Sequence, residues 1–400
     1  MTHARHLPDG FLWGASTAAH QIEGGNTNSD WWLFEHTQNP IVKEPSGDAC
    51  DSYHRWREDM DLLAQLGFTD YRFSIEWARI EPAPGEFSRA AIAHYRRMVE
   101  GARERGLRPM VTLHHFTHPR WFAERGGWAA AGSDDLFARF ITAAAPVFAT
   151  DVAHVCTINE PNILAVMATA QAALASGQAV SFAENPPAPD GATTEALIRA
   201  HARAMETVKS HAPQVNAGWS LANMVCQPLP GAEDVAAEYR HPRLDIFLEA
   251  ARGNDWLGVQ AYTRTIIGPQ GRLPVPEDAE RTLMGWEYYP QAVGHALRHS
   301  ASVAPGVPLI VTENGIATGD DTRRIDYTTG ALDSLTSAMD DGIDVRGYFH
   351  WSALDNYEWG RYAPTFGLVA VDRETFVRTP KPSAAWLGAA GRTRVLPAAR

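Results

Sequence analysis

The sequence has few cysteines and no long hydrophobic run. Its three cysteines, Cys50, Cys156 and Cys226, are far apart and match neither a CxxC pair nor a zinc-ligand spacing. This pattern predicts no disulfide framework and favours a reducing compartment. The N-terminal segment lacks the apolar core of a secretion signal, and nowhere do about 18 or more apolar residues follow one another. We therefore expect a cytoplasmic protein that does not span a membrane.

A basic run is also absent, and the formal net charge is −12. This charge would repel nucleic acid and anionic membrane surfaces, so neither is an expected partner. A neutral or cationic small molecule suits the charge better as a substrate. With 400 residues, 45% of them hydrophobic and 20% charged, the chain is long enough for one large barrel or for two or three smaller domains.

Eight short β-rich runs alternate with segments of helical periodicity. This alternation predicts a closed parallel (β/α)8 barrel rather than an open doubly wound sheet, since no GxGxxG motif follows the first run. No linker or low-complexity segment divides the chain, so we expect one domain over residues 1–400, with its core at about residues 8–390. The runs are FLWGAS from Phe11, YRFSIEW from Tyr71, RPMVTLHH from Arg108, HVCTINE from His154, NAGWSLA from Asn216, WLGVQAY from Trp256, PLIVTEN from Pro308 and RGYFHWS from Arg346.

The first two helical segments carry apolar residues at helical spacing, and a glycine stands where each helix should end. A Pro-rich stretch, ENPPAPDG from Glu184 to Gly191, is interpreted as a surface loop within the domain because strands continue on both sides of it. The apolar positions are Tyr53, Trp56, Met60 and Leu63 in the first helix and Ile92, Tyr95, Val99 and Ala102 in the second, with Gly67 and Gly106 at the ends.

Two glutamates end strands in this arrangement. Glu160 ends the fourth run within TINEP, and Glu313 ends the seventh within VTENG. Catalytic residues of such barrels lie at the C-terminal ends of the strands, and strands four and seven roughly face each other. Two carboxyl groups about 5–5.5 Å apart can cleave a glycosidic bond with retention, one as a protonated acid and one as a nucleophile. Arg72, on the second strand together with Glu76, is a candidate to hold Glu313 ionised, whereas Glu160 would need an apolar or anionic setting.

A structural role is the alternative for each glutamate taken alone, as a strand cap or as the partner of an arginine. An asparagine stands beside each one, Asn159 before Glu160 and Asn314 after Glu313. Two such pairs at the ends of strands four and seven favour catalysis.

From FLWGASTAAHQIEG near the start to TPKPSAAW near the end, the chain resembles glycoside hydrolase family 1, the β-glucosidase family. The resemblance implies a retaining β-glycosidase that needs no cofactor or metal, with Glu160 as acid/base and Glu313 as nucleophile. It also implies roles in holding the sugar and the nucleophile. These are Gln21 for sugar hydroxyls, Glu358 for the 4- and 6-hydroxyls with Trp359 as its tryptophan neighbour, His115 for the 3-hydroxyl, Asn159 for the 2-hydroxyl, Tyr262 for orienting the nucleophile, Trp351 for the sugar platform, and Phe366 for closing the pocket.

The sequence departs from the family pattern around the expected entrance. Phe116 and Thr117 replace a tryptophan and an aspartate, and Gln260 and Ala261 replace an asparagine and an aromatic residue. The segment after Pro161 lacks the usual glycine-tyrosine and alanine-proline-glycine pattern, and the chain is shorter than most members. The leaving-group specificity is therefore the property that the resemblance predicts least.

The residue at position 358 argues against one substrate class. Members that act on 6-phosphorylated sugars generally have a serine there, with a lysine nearby to hold the phosphate. This sequence has Glu358, and its neighbourhood contains Arg361 but no lysine. A carboxylate would repel a dianionic phosphate, so we expect an unphosphorylated β-D-glucoside, or a related β-galactoside or β-fucoside.

Three alternatives stay open at this point. A transglycosidase would use the same covalent intermediate but pass the sugar to an alcohol. A carbohydrate-binding protein that has lost catalysis would lack a carboxylate, and neither is missing here. A metal-dependent hydrolase would use histidines as ligands, and the candidates for it are His114, His115, His118 and His350, with Glu313.

Overall fold

The eight predicted strands form a closed parallel barrel, which confirms the (β/α)8 prediction. A computed structural model describes residues 5–37, 41–180 and 186–397. The strands are Leu12–Ser16 (β1), Asp70–Ser74 (β2), Arg108–His115 (β3), His154–Asn159 (β4), Asn216–Ala222 (β5), Trp256–Gln260 (β6), Leu309–Asn314 (β7) and Val345–Trp351 (β8). Each strand pairs with the next in chain order, and β8 pairs with β1 to close the ring.

Helices connect consecutive barrel strands. Among the residues described, none of these helices is both long and apolar enough to cross a bilayer. The α-helices are Ala19–Ile22, Asp30–Glu35, Ser52–Leu66, Trp77–Ile80, Arg89–Glu104, Arg120–Glu124, Ser133–Phe148, Pro161–Ala175, Gly191–His211, Glu233–Arg240, Asp245–Ala250, Ala292–Val303, Asp321–Asp340 and Pro382–Thr393. Short 3-10 helices span Gly127–Ala129 and His241–Arg243, and small sheets outside the barrel use Val225–Pro228, Arg264–Gly268 and Gly271–Arg272, and Val369–Val371 and Arg378–Pro380.

The helix Ser52–Leu66 shows why its sequence folds as predicted. Trp56, Met60 and Leu63 are buried on one face. Gly67 then ends the helix at a φ of +108°, and a Cβ atom at this position would lie 2.6 Å from a backbone oxygen. The second predicted helix, Arg89–Glu104, ends two residues before Gly106, which has a φ of +75°, and its predicted inner positions are buried or half-buried.

One strand ends earlier than the sequence pattern predicts. Strand β2 stops before Glu76, which instead begins the helix Trp77–Ile80 and accepts a hydrogen bond from the Ala78 N–H at 3.3 Å. The prediction that Glu76 shares a strand face with Arg72 is therefore wrong. A side chain that caps a helix N-terminus competes with the strand ladder for the backbone.

The interior of the barrel is filled with side chains. Residues from six different strands form one buried cluster there, so the barrel is a packed core and not a channel. Polar side chains join it, because the Ser16 hydroxyl donates to the Thr312 carbonyl at 2.7 Å and the Thr312 hydroxyl to Ser220 Oγ at 3.0 Å. The apolar cluster consists of Leu12, Met110, Cys156, Trp256, Ile310 and Phe349.

The Pro-rich segment lies partly outside the described residues. Residues 186–190 belong to neither a helix nor a strand, as predicted for a loop. Asp190 ends the segment by capping the helix Gly191–His211, its Oδ1 accepting from the Thr193 N–H at 2.7 Å. Glu184 and Asn185 are not among the described residues, so the loop prediction is tested only from Pro186 onward, and Gly191 already belongs to the helix.

Candidate active site

The predicted site residues come together at the C-terminal end of the barrel. The strands themselves position five of them, and the connections that follow the strands position the others. In the strands lie Arg72 (β2), His115 (β3), Asn159 (β4), Glu313 (β7) and Trp351 (β8). Beyond strand ends lie Gln21 after β1, Glu160 after β4, Tyr262 after β6, and Glu358, Trp359 and Phe366 after β8.

Both carboxylate oxygens of Glu313 are held in place. Arg72 Nη1 donates to Oε1 at 2.6 Å, and the Tyr262 hydroxyl donates to Oε2 at 2.7 Å. The Arg72 side chain is fully buried, and that of Glu313 is 5% exposed. Charge-assisted hydrogen bonds of this kind fix a carboxylate and favour its ionised form. The contact predicted between Arg72 and Glu313 is present.

Glu160 occupies an unusual backbone position between a strand and a helix. Its φ is +47°, in the left-handed region, and the helix Pro161–Ala175 starts at the next residue. Its N–H donates to the Ser220 carbonyl at 2.8 Å, which ties this turn to strand β5. Strained backbone held by its surroundings is common at functional sites. The turn lifts the Glu160 side chain out of the strand ladder at the barrel mouth.

The environments of the two glutamates differ in the direction that acid catalysis needs. Desolvation in the pocket raises the pKa of Glu160 well above its usual range, and the negative charges of Glu313 and Glu358 raise this pKa further. Desolvation also raises the pKa of Glu313, but the charge of Arg72 and the hydrogen bonds from Tyr262 and Arg72 oppose the rise. Glu160 is therefore the carboxyl group that retains a proton more readily.

A second polar cluster lies where the resemblance places the sugar hydroxyls. Trp351 Nε1 donates to Glu358 Oε1 at 3.2 Å, and Gln21 Nε2 donates to Glu358 Oε2 at 3.3 Å. Burial, with a contribution from the charge of Glu313, raises the pKa of Glu358 to about 8. Gln21 Oε1 is buried without a hydrogen-bond partner. An acceptor left unpaired at this depth costs free energy unless a donor such as a ligand hydroxyl reaches it.

Aromatic rings surround this cluster. The His115 ring lies nearly parallel to those of Trp351 and Trp359, with centroids 5.9 Å and 6.3 Å away. Burial and the charge of Arg72 lower the pKa of His115 well below its usual value, so its ring is neutral. Phe366 meets the Tyr262 ring edge-on at 5.9 Å. Flat apolar faces beside hydroxyl-binding groups suit the C–H faces of a sugar ring.

The sequence predicted neither the packing of Trp286 beside the pocket nor the hydrogen bond from Gln260 to Asn159. The Trp286 ring packs 5.6 Å from the ring of Tyr262 and 6.2 Å from that of Phe366. No periodicity marks it, because it lies in a long connection after β6. Gln260 was noted only as a departure from the family, yet its Nε2 donates to Asn159 Oδ1 at 2.9 Å.

The two residues that depart from the family after His115 have different surroundings. Phe116 has a φ of +65° and meets the Trp359 ring edge-on at 5.0 Å. Thr117 is 4% exposed, and its hydroxyl donates to Glu76 Oε2 at 2.8 Å. Phe116 thus packs against the aromatic rings of the pocket, whereas Thr117 is bound to Glu76 at the start of the helix Trp77–Ile80.

The metal alternative finds little support in the part of the chain that the structure describes. No group of three or more histidine, cysteine, aspartate or glutamate side chains there is arranged to hold a metal ion. His114 meets the rings of Trp128 and Phe137 edge-on, as a core residue does. The carboxylate of Glu313 is already engaged by Arg72 and Tyr262.

We expect Tyr262→Phe to lower kcat/KM for an aryl β-glucoside about tenfold or more, because a hydrogen bond to a charged carboxylate is lost. That bond lowers the pKa of Glu313. Without it the pKa rises, so the acidic limb of the pH–rate profile should move to higher pH. The matched control is Tyr95→Phe, which removes a hydroxyl donated to Glu23 at 3.1 Å outside the pocket. An unmoved acidic limb in Tyr262→Phe would contradict the role of this tyrosine.

Comparison with known proteins gives a consistent result for the whole chain. The model of glycosyl hydrolase family 1 matches residues 3–254 and 269–394. The chain belongs to this family. A solved β-glycosidase structure is 46% identical, with a TM-score of 0.88, and 98% of each chain is covered.

Two curated members of family 1 are similar to this chain at the level of sequence. Beta-glucosidase A of Thermotoga maritima is 30% identical over 96% of this chain and 97% of its own length. The bifunctional beta-D-glucosidase/beta-D-fucosidase of Bifidobacterium breve is 30% identical over 95% of this chain and 97% of its own length. The fold and family expected from the sequence are therefore confirmed.

Proposed function

We propose that this family 1 enzyme is a retaining β-glucosidase that hydrolyses unphosphorylated β-D-glucosides by double displacement. The observation that carries the proposal is the contrast between two carboxyl groups at one barrel mouth. Glu313 is held on both oxygens by Arg72 and Tyr262, while desolvation and neighbouring negative charge favour the protonated form of Glu160. One group is thus prepared as a nucleophile and the other as an acid.

In the first step, a Glu313 oxygen bonds to the anomeric carbon as the bond from that carbon to the leaving oxygen breaks. Glu160 gives its proton to the leaving oxygen, so an alcohol departs and a covalent glycosyl-enzyme remains. In the second step, water attacks the anomeric carbon, gives a proton to the Glu160 carboxylate and releases Glu313. Two inversions give net retention.

The groups around Glu358 support the choice of a glucoside. Glu358 and Gln21 supply hydrogen-bond acceptors for sugar hydroxyls, and Trp351 supplies a flat face. A carboxyl group at this place supplies no positive charge to hold a phosphate. Of the similar proteins, one is named a β-glucosidase and another acts on both β-D-glucosides and β-D-fucosides by its name, so the test below includes a β-fucoside. A cytoplasmic location and a single domain over residues 1–400 stay predictions.

The test follows the first-formed sugar by proton NMR during hydrolysis of an aryl β-glucoside, with the aryl β-galactoside and β-fucoside as comparisons. We expect β-glucose to appear first and α-glucose only later by mutarotation. Initial α-glucose would overturn the double-displacement proposal. Methanol added as an acceptor should divert part of the product to methyl β-glucoside, and a product that is entirely glycoside would favour the transglycosidase alternative.

A further inference from the structure

We propose that Gln260 is a positioning residue that locks the amide of Asn159 in one orientation and thereby sets the selectivity for a substrate 2-hydroxyl. The inference rests on the proposed function and on the contact with the 2-hydroxyl that the family resemblance implies for Asn159. Gln260 is the last residue of β6 and is 1% exposed. It does not contact the sugar in this proposal but acts through Asn159.

Two donors converge on one oxygen of Asn159. Gln260 Nε2 donates to Oδ1 at 2.9 Å, and Arg72 Nη2 donates to the same atom at 2.5 Å. An amide oxygen has two lone pairs, so both are used. Turning the amide over would place its NH₂ group against the guanidinium of Arg72, which has no acceptor atom, and would break the hydrogen bond from Gln260 Nε2. The oxygen of Asn159 must therefore face Gln260 and Arg72.

The orientation of the oxygen fixes that of the nitrogen. Asn159 Nδ2 lies 3.3 Å from His115 Nε2. Because burial keeps the His115 ring neutral, Nε2 can accept one N–H of this group, and the ring proton then sits on Nδ1. The second N–H of Asn159 is the one we assign to the substrate hydroxyl. A hydrogen bond to the 2-hydroxyl that strengthens in the transition state contributes to glycoside cleavage.

The length of the Gln260 side chain matters because of the strand order. Strand β5 lies between β4, which carries Asn159, and β6, which carries Gln260. The side chain of Gln260 must therefore reach across one strand to meet Asn159. The shorter asparagine would end about 1.5 Å, one C–C bond, further away and would lose the contact. The glutamine that departs from the family pattern thus makes a contact that we expect an asparagine at position 260 of this chain to lose.

The hydrogen bond from Arg72 alone does not fix the Asn159 amide in the same way. Its Nη1 is committed to Glu313, so the position of the guanidinium is coupled to that of the nucleophile. Gln260 holds Asn159 from a different strand. It therefore keeps the Asn159 amide in the same position while the bond between Glu313 and the sugar forms and breaks.

The test compares kcat/KM for an aryl β-glucoside with kcat/KM for the matching 2-deoxy-β-glucoside. The variants are Gln260→Leu, which removes both polar atoms, and Gln260→Asn, which keeps the amide but shortens it. We expect each variant to lower the ratio of the two values about tenfold, through loss of activity on the 2-hydroxyl substrate alone. Gln227→Leu is the matched control, because Gln227 donates to the Tyr289 hydroxyl outside the barrel and should leave the ratio unchanged.

A double-mutant cycle separates positioning from a direct contact with the sugar. If Gln260 acts through Asn159, Gln260→Leu should not change the ratio further in an Asn159→Ala background. A further fall there would overturn the proposal, as would an equal loss on both substrates, which marks a merely structural role. Thermal unfolding of each variant checks the fold, and Gln260→Asn serves if Gln260→Leu does not fold.

A binding measurement keeps this proposal distinct from the proposed function. Tryptophan fluorescence can follow the binding of glucose and of 2-deoxyglucose without turnover, because Trp351 and Trp359 lie in the pocket. Gln260→Leu should weaken the binding of glucose and leave that of 2-deoxyglucose unchanged. Inactive wild-type protein would overturn the proposed function, whereas equal weakening of both sugars would overturn the role of Gln260.

Discussion

Glu313→Ala should lower kcat for an aryl β-glucoside by about 10⁴-fold or more, because no covalent glycosyl-enzyme can form without the nucleophile. Steady-state kinetics with a chromogenic aryl glucoside measures this loss. Azide should restore part of the turnover by entering the space left by the carboxylate. It would attack the anomeric carbon once, with inversion, and the product should be α-glucosyl azide.

The control for this variant must also lose a buried, arginine-paired carboxylate. Asp59 is such a residue, since Arg378 Nε donates to its Oδ1 at 2.8 Å and both side chains are nearly inaccessible. Glu313→Ala and Asp59→Ala should each destabilise the fold by about 3–5 kcal/mol, because a buried arginine loses its partner. Only Glu313→Ala should abolish turnover, and near wild-type kcat in this variant would refute its role as nucleophile.

Glu160→Ala should show a loss that depends on the leaving group. With a poor leaving group such as the second glucose of cellobiose, kcat/KM should fall by about 10²- to 10⁴-fold, because the departing oxygen receives no proton. With a dinitrophenyl leaving group, which needs no proton, the glycosylation step should change little. Azide should attack the covalent intermediate and give β-glucosyl azide, the opposite anomer to that expected from Glu313→Ala.

The pH–rate profile provides an independent test of the same variant. In the wild type, the raised pKa of Glu160 favours its protonated form, and activity should be lost as the pH rises through that pKa. The variant has no proton to lose, so the basic limb should disappear while the acidic limb stays. Equal losses across all leaving groups, or a basic limb that persists, would count against Glu160 as the acid.

The sequence predicted the elements of the fold closely where local patterns determine them. All eight barrel strands are confirmed, and the helix Ser52–Leu66 buries the predicted face and ends at Gly67. The end of β2 was missed because the helix cap made by Glu76 depends on side-chain geometry that no apolar pattern records.

The site was predictable to the extent that strand ends determine it. Residues at the ends of barrel strands must meet at one mouth, so the contact of Arg72 with Glu313 followed from topology. Trp286 was not predictable in this way, because it lies in a connection whose path is set by packing against Tyr262 and Phe366. The contact between Gln260 and Asn159 crosses an intervening strand, and the spacing of these two residues in the sequence does not predict it.

The sequence by itself determined the barrel, the identity of the two carboxyl groups and the strands that carry them. These properties depend on residue order and on periodicity, which are local. Only the tertiary structure shows why the two carboxyl groups differ in their affinity for a proton, because desolvation and neighbouring charge come from residues far apart in the chain. It also decided which way the amide of Asn159 faces, since that depends on donors from two other strands converging on its single side-chain oxygen.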